Sequence, residues 1–266
     1  MINKTGIDEI KSKRIGIVLS GGGVRAIAHL GVLRALEEYN IRPHCLSGTS
    51  AGAIAAAFYA AGYPVEEIYN IAINMHFFSP RIVRKTKSGL LSMSPLEKVF
   101  AKYLPGDSFS SLKIPLYVAA TNINKGKIFY FNKGSLRQAL LATACLPVIF
   151  APVEIEGDIY YDGGVMNNLP LEPIENQCDF LIGSHVNAME DATGKTIKRM
   201  EAYDRAYHLL LNHSVYEKSD RCNLFFDPPG MTRFGLFQWK AGHDIYTFSY
   251  TYARELLQSV FGKAPV

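Results

Sequence analysis

Two short strand-like runs, each followed by a glycine turn and a helical pattern, dominate the first sixty residues and constrain this chain more than any other feature. Ile15-Gly16-Ile17-Val18-Leu19 is apolar without alternation, as in a strand buried on both faces. Gly21-Gly22-Gly23 interrupts it. From Val24 to Tyr39, the residues Ile27, Leu30, Val32, Leu33 and Leu36 recur at helical spacing, with Arg34, Glu37 and Glu38 between them. A second strand is expected over 43–47, ended by Gly48. Ser50 to Ala61 then runs alanine-rich without one charge, and Gly62 is placed to stop it. A helix apolar on every side is normally buried on every side. Strand, glycine turn and helix, twice over, predict a parallel sheet with right-handed crossovers.

The pattern continues along the chain. Leu116 to Thr121 reads as another buried strand, with 128–131 beside it. A helix is expected over 135–144, ended by Leu146-Pro147, and a hairpin over 153–161 around Glu156-Gly157-Asp158. Further strands fall at 180–186 and 223–226. A long amphipathic helix is expected over 197–217 and a last helix over 241–257. Residues 64–112 read as helices and loops. No repeat or linker breaks the chain, so residues 1–266 are expected to form one α/β domain. Its core would lie within 14–187, with 188–266 completing it.

Composition sets limits on function. Of 266 residues, 48% are hydrophobic and 20% charged, an ordinary globular balance. A net charge of +4 without a long Lys/Arg run, zinc-finger spacing or RNA-binding signature argues against nucleic acid as partner. Cys45, Cys145, Cys178 and Cys222 are far apart and form no CxxC pair, which disfavours a zinc site and signals no disulfide framework. Buried free thiols suit a reducing, cytoplasmic setting. The segment before the charged Lys11-Ser12-Lys13-Arg14 lacks an apolar core of signal-peptide length. The helix expected over 50–61 is shorter than the about 20 residues a bilayer requires.

Three glycine-flanked motifs carry the chemistry. Gly48-Thr49-Ser50-Ala51-Gly52 is a G-x-S-x-G pentapeptide between an expected strand and an expected helix. A sharp turn there lifts a serine hydroxyl clear of the sheet, and the following helix directs its positive end at developing negative charge. An ordinary helix N-cap serine is the competing reading. Gly21-Gly22-Gly23-Val24-Arg25 also joins strand to helix, and its unobstructed amides could form an oxyanion hole. The same glycines match a dinucleotide fingerprint through Gly21, Gly23 and Ala26. That fingerprint requires an acidic residue about 20 positions on, and no Asp or Glu lies between Glu38 and Glu66. No Gly-Lys-Ser/Thr follows, so a phosphate-binding Walker loop is excluded. Asp162-Gly163-Gly164 follows the apolar Ile159-Tyr160-Tyr161; alone it reads as a common turn.

In this order, Gly-Gly-Gly-Val-Arg, Gly-Thr-Ser-Ala-Gly and Asp-Gly-Gly resemble the patatin-like phospholipase family. So does the block from Ala142-Thr143-Ala144-Cys145-Leu146-Pro147 to Asp162-Gly163-Gly164-Val165-Met166-Asn167-Asn168. The likeness covers about residues 14–187 and departs at Ala26, where the family usually has glycine. It implies a three-layer α/β/α sandwich with a mainly parallel central sheet. It implies a Ser–Asp dyad without a catalytic histidine: Ser50 as nucleophile, Asp162 as base, and amides around Gly21, Gly22, Gly23 and Val24 as oxyanion donors. Arg25, Gly48, Gly52, Gly163 and Gly164 would support that geometry. The implied activity is hydrolysis of lipid acyl esters, phospholipase A- or lysophospholipase-like, with neither cofactor nor metal.

Two alternatives stay open at this point. His185, His208, His213 and His243 follow Asp162, which permits the Ser–acid–His order of α/β-hydrolases. A lipid-binding module with an inactive site is the other. Phe77 to Lys87 mixes aromatics with Arg81, Arg84, Lys85 and Lys87, a composition that suits peripheral contact with a membrane headgroup layer or an ordinary solvated loop. Phe234, Phe237, Trp239, Tyr246, Phe248, Tyr250 and Tyr252 read as core and pocket wall.

Overall fold

The computed structural model describes residues 6–75, 84–85, 91–194, 196–236 and 238–264. Strands run over Ile15–Leu19 (β1), Cys45–Thr49 (β2), Arg84–Lys85 (β3), Leu91–Ser92 (β4), Leu116–Asn122 (β5), Lys127–Phe131 (β6), Val153–Ile155 (β7), Asp158–Asp162 (β8), Phe180–Ser184 (β9) and Leu224–Phe226 (β10). Helices run over Ile7–Lys11 (α1), Ile27–Glu38 (α2), Ser50–Ala61 (α3), Val65–Met75 (α4), Ser94–Tyr103 (α5), Leu136–Thr143 (α6), Arg199–Ser219 (α7) and Gly242–Phe261 (α8).

Eight strands form the main sheet in the order β10-β9-β1-β2-β5-β8-β7, with β6 also paired to β5. The pairs from β10 to β5 are parallel, and those that β5 makes with β6 and β8 are antiparallel. Alternation along each strand divides the core between two faces. Ile15, Ile17, Leu19, Leu46, Val118 and Ile182 pack with α2, α3 and α8. Val18, Cys45 and Leu181 face Leu169, Leu171, Ile174 and, from α7, Val215. The result is the expected α/β/α arrangement, with α2, α3 and α8 on one side and α7 with the 169–174 segment on the other.

Helix α3 is buried from Ser50 to Ala60, which accounts for its lack of charge. The strand before it runs through Gly48 to Thr49 rather than stopping at Ser47. Gly48 pairs with Leu19 on one side and Val118 on the other. A methyl there would lie 2.7 Å from Ala53 Cα, so glycine lets α3 press against the sheet. The helix expected from Val24 begins instead as a 3₁₀ turn over Gly23–Ala26, with Arg25 N–H donating to Gly22 O at 3.1 Å. Helix α7 is not cleanly amphipathic: Leu209 and Leu210 are exposed while Leu211 turns inward. Three successive leucines cover too wide an arc for one buried stripe.

One local arrangement joins distant parts of the chain. On one edge, β5 pairs with β6 from Val118 to Asn122. On the other, it pairs first with β2 and then with β8, so that Thr49 faces Ala119 and Asp162 faces the next residue, Ala120. Strands β2 and β8 therefore meet end to end along a single edge of β5. The cysteines also meet unexpectedly, with the Cys45 and Cys178 sulfurs 3.1 Å apart.

Candidate active site

Ser50 sits at the carboxyl end of β2, where α3 begins. Its φ is +53°, a region that ordinary side chains avoid. Such a conformation costs on the order of 1–3 kcal/mol and must be held by its surroundings. Two contacts hold it. Ser50 N–H donates to Thr143 Oγ1 at 2.8 Å, and the Thr143 hydroxyl donates to Ala119 O at 2.5 Å. Gly52 lets the turn approach β1 so closely that a methyl would lie 2.3 Å from Ser20 O. Ser50 is left only 7% exposed.

Because β8 ends where β2 ends, Asp162 arrives beside Ser50. The Ser50 hydroxyl donates to Asp162 Oδ2 at 2.6 Å, across a separation of 112 residues. The other carboxylate oxygen accepts Gly164 N–H at 2.8 Å, and Thr121 Oγ1 donates to the Asp162 carbonyl at 2.9 Å. Gly163 fits where a side chain could not, since its Cβ would lie 2.3 Å from Ala119 O. Burial pushes the Asp162 carboxyl from an ordinary 3.8 up to about 6, although the hydrogen bonds from Ser50 and Gly164 pull the other way. The carboxylate is thus a stronger base than a free aspartate.

The glycine loop faces the same pair. Gly21 N–H donates to Asn168 Oδ1 at 3.1 Å, and Gly21 O accepts Asn187 Nδ2 at 2.6 Å. Val24 N–H donates to Leu236 O at 3.0 Å. Of the four amides expected to serve an oxyanion, those of Gly21 and Val24 are therefore engaged within the protein. Those of Gly22 and Gly23 have no hydrogen-bond acceptor among the described residues. Gly21, Gly22 and Gly23 line a small recess with Ser50, Asp162, Gly164 and Asn168, closed by Leu146, Leu211 and Leu236.

Arg25 does not enter the recess. It is fully buried; its Nε donates to Phe234 O at 2.6 Å and one terminal nitrogen donates to Asn187 Oδ1 at 3.1 Å, while also lying 3.1 Å from His208 Nε2. Its place is behind the loop, tying it to α7 and to the chain near Phe234. Asn168, Asn187 and Thr143 escaped the sequence reading as site residues. Thr143 and Asn168 do fall inside the blocks that carry the family likeness.

None of the four histidines lines the recess. His185 is held between Asp227 Oδ1 at 2.8 Å and Asn212 Oδ1 at 3.0 Å. His213 is exposed on α7 near Glu217, and His243 Nδ1 lies 3.2 Å from the Tyr69 hydroxyl. Among the described residues, no group of three or more His, Cys, Asp or Glu could hold a metal ion, and no helix is long and apolar enough to cross a membrane. Of the Phe77 to Lys87 segment, only the backbone of Arg84–Lys85 lies within the described residues, paired with Leu91–Ser92. Phe234, Trp239, Tyr246 and Phe248 pack together against α2, and Tyr250 and Tyr252 pack on the main core. Phe237 lies outside the described residues.

The chain is similar to several known proteins. The chain is 29% identical over 186 residues to an uncharacterized NTE family protein of Mycobacterium bovis, covering 67% of this chain and 51% of that one. It is 30% identical over 195 residues to the lysophospholipase NTE1 of Coccidioides immitis, covering 68% of this chain and 12% of that one. The chain thus spans about half the length of its mycobacterial relative and a small part of the fungal one. Among solved structures, VipD from Legionella pneumophila matches with a TM-score of 0.50 and 17% identity, over 92% of this chain and 67% of that one. The family model described as patatin-like phospholipase matches residues 17–174, more than half of the sequence, and the chain belongs to that family.

Proposed function

We propose that this protein is a serine acyl hydrolase acting on lipid esters, with Ser50 as nucleophile and Asp162 as the only general base. The observation that carries the reading is the 2.6 Å hydrogen bond from the Ser50 hydroxyl to Asp162, beside two amides that have no acceptor among the described residues. A lysophospholipase- or phospholipase A-like substrate is consistent with the family and with the name of the fungal relative, a lysophospholipase. Residues 14–187 and 188–266 would act as one unit, because α7 supplies Leu211 to the recess.

Each step uses groups already in contact. Ser50 Oγ attacks the ester carbonyl carbon as its proton passes to Asp162 Oδ2. The carbonyl oxygen becomes negative and accepts hydrogen bonds from the Gly22 and Gly23 amides; one such donor is typically worth about 3 kcal/mol of barrier. The positive end of α3 lowers the same charge. When the tetrahedral intermediate collapses, the carbon–oxygen bond to the alcohol breaks, and the alcohol leaves with the proton from Asp162. Water then gives a proton to Asp162 and attacks the acyl-serine; collapse releases the acid and returns the proton to Ser50. A second oxygen held by Gly164 N–H keeps the carboxylate aimed throughout.

Peripheral contact with a lipid layer fits the exposed apolar residues that neighbour the recess lining in sequence. Beside Leu146 stands Val148, a β-branched residue 86% exposed at a φ of +69°. Beside Leu211 stands Leu210, 78% exposed; Val165 and Met166 follow Gly164 and are also exposed. Single exposed apolar residues are common, but several next in sequence to the lining of one recess suit an interface with lipid.

A fluorophosphonate probe tests the central reading. It should label the wild-type protein at Ser50, and Ser50→Ala should neither label nor hydrolyse lysophospholipid. Labelling at another residue, or full activity in Ser50→Ala, sinks the proposal.

A further inference from the structure

Asn187 lies behind the glycine loop with no exposed surface, and we infer that it is a positioning residue for ester hydrolysis: by holding the Gly21 carbonyl it turns the Gly22 N–H toward the substrate carbonyl oxygen at Ser50. This role rests on the hydrolase reading and names the residue that aims one of its two open amides.

The direction follows from the peptide group itself. The Gly21 carbonyl and the Gly22 N–H belong to one trans peptide and point to opposite sides of it. Asn187 Nδ2 donates to Gly21 O at 2.6 Å, so the carbonyl faces the buried side of the loop. Asn187 stands outside the recess that Gly22 lines with Ser50 and Asp162. The Gly22 N–H, on the other side of the same plane, therefore faces that recess.

A peptide between two glycines needs such a hold. With no Cβ on either residue, the plane can turn over about its two flanking bonds with little steric resistance. Turned over, it would present a carbonyl oxygen to the developing oxyanion and repel it. The next peptide is held by the chain itself, since Gly22 O accepts Arg25 N–H at 3.1 Å within the 3₁₀ turn. Asn168 secures the peptide before, accepting Gly21 N–H at 3.1 Å. Its Nδ2 lies 3.5 Å from Gly21 O, too far to hold that carbonyl firmly. The short contact on Gly21 O is the one from Asn187.

The chemistry of the position selects asparagine. Arg25, also fully buried, donates from a terminal nitrogen to Asn187 Oδ1 at 3.1 Å. A guanidinium only donates and a peptide carbonyl only accepts, so the side chain between them must accept on one atom and donate from another. A carboxamide does both, and its two partners fix which way it points. Leucine, of similar size, does neither. Aspartate accepts from Arg25 but sets a second acceptor against Gly21 O. The Asn187 backbone is secured separately, its carbonyl accepting Asn212 Nδ2 at 2.9 Å. From guanidinium to carboxamide to peptide, every donor points the same way. Each bond polarises the next and strengthens the last donor, the Gly22 N–H.

Asn187→Leu and Asn187→Asp test this role, with thermal melts to establish which variant is folded. Per folded molecule, kcat and kcat/KM for p-nitrophenyl acetate should both fall about a hundredfold, the usual loss for one oxyanion donor used only in the transition state. A second readout follows the peptide directly. Protein labelled with glycine carrying ¹³C at the carbonyl and ¹⁵N gives a carbonyl–amide correlation only where glycine follows glycine, at Gly22, Gly23 and Gly164. In each folded variant the Gly22 peak should move, its Gly21 carbonyl shifting upfield as a hydrogen bond is lost, while the Gly164 peak stays in place. A general disturbance of the fold would move both. A folded variant with kcat within about threefold of wild type overturns the role. So does a large loss of kcat with the Gly22 peak unmoved. Either result leaves the hydrolase reading intact so long as the wild type labels at Ser50 and hydrolyses ester. A wild type that does neither refutes the hydrolase reading, and the catalytic role of Asn187 falls with it even if the Gly22 peak moves.

Discussion

Replacing Asp162 by Asn should abolish activity and yet stabilise the protein at neutral pH. The carboxyl is buried, and burial lifts it from 3.8 to about 6. At about 1.36 kcal/mol for each tenfold change in proton affinity, that displacement is worth about 3 kcal/mol. The sign follows from which state binds the proton more tightly. Below pH 3.8 the group is neutral in both folded and unfolded chains, and burial carries no ionic penalty. As pH rises through 3.8 the unfolded chain loses its proton first, and by pH 7 the folded protein carries nearly the full penalty. Asn has no charge to bury. Its Oδ1 can still accept Gly164 N–H, and its Nδ2 can donate to Ser50 Oγ, so both hydrogen bonds survive in altered form. The Ser50 proton, however, has lost its acceptor. For a chain of this size, about 3 kcal/mol corresponds to a melting temperature roughly 6–12 °C higher. Thermal melts of the wild type and Asp162→Asn from pH 4 to pH 8 provide the measurement. The gap should be small at pH 4 and widen to its full value near pH 7. If the wild type is equally stable at pH 8, or the gap does not vary with pH, the buried-base argument is wrong.

Three further outcomes follow from the same geometry. The kcat/KM profile should fall about tenfold per pH unit below about 6 and level off above it, because the free protein must hold Asp162 ionised; a profile flat from pH 4 to pH 8 contradicts its role as base. Gly52→Ala should lose about 3 kcal/mol of stability in urea titrations, since the new methyl meets Ser20 O at 2.3 Å and Leu19 O at 2.7 Å, backbone atoms that cannot move aside cheaply. A loss under about 0.5 kcal/mol would show that the strand–helix contact is looser than described. Val148→Asp combined with Leu210→Asp should weaken binding to phosphatidylcholine vesicles at least about a hundredfold, at about 1.5–3 kcal/mol per apolar side chain withdrawn from lipid; unchanged co-sedimentation rules out these two residues as lipid contacts.

What could be read from the sequence depended on the range over which each signal acts. The βαβα opening was legible because strand, glycine turn and helix are local patterns, and α3 without charges announced its own burial. Asp162 was reached through motif order, not through any local property of an Asp-Gly-Gly turn; its pairing opposite Ala120 is a feature of the sheet. The glycine loop proposed to stabilise an oxyanion was legible as a loop but not amide by amide. Asn168 and Leu236 occupy Gly21 and Val24 from 147 and 212 residues away, and no pattern near the glycines signals either. Arg25 was expected to support the glycine loop, and it does so as a fully buried brace whose partners, Phe234 and Asn187, lie far along the chain. In α7, hydrophobic spacing suggested one buried stripe, and the exposed leucines lie where that spacing and the surface part company.

The shared edge of β5 has a consequence for how such a chain can change. Its neighbouring residues Ala119 and Ala120 act as a ruler on which Thr49, the residue before Ser50, and Asp162 are both marked off. The chain between them can gain or lose whole loops without disturbing their separation. A slip of one residue where either strand pairs with β5 would turn that partner to the opposite face of the sheet. Tolerance of insertion and intolerance of slippage are therefore two sides of one arrangement.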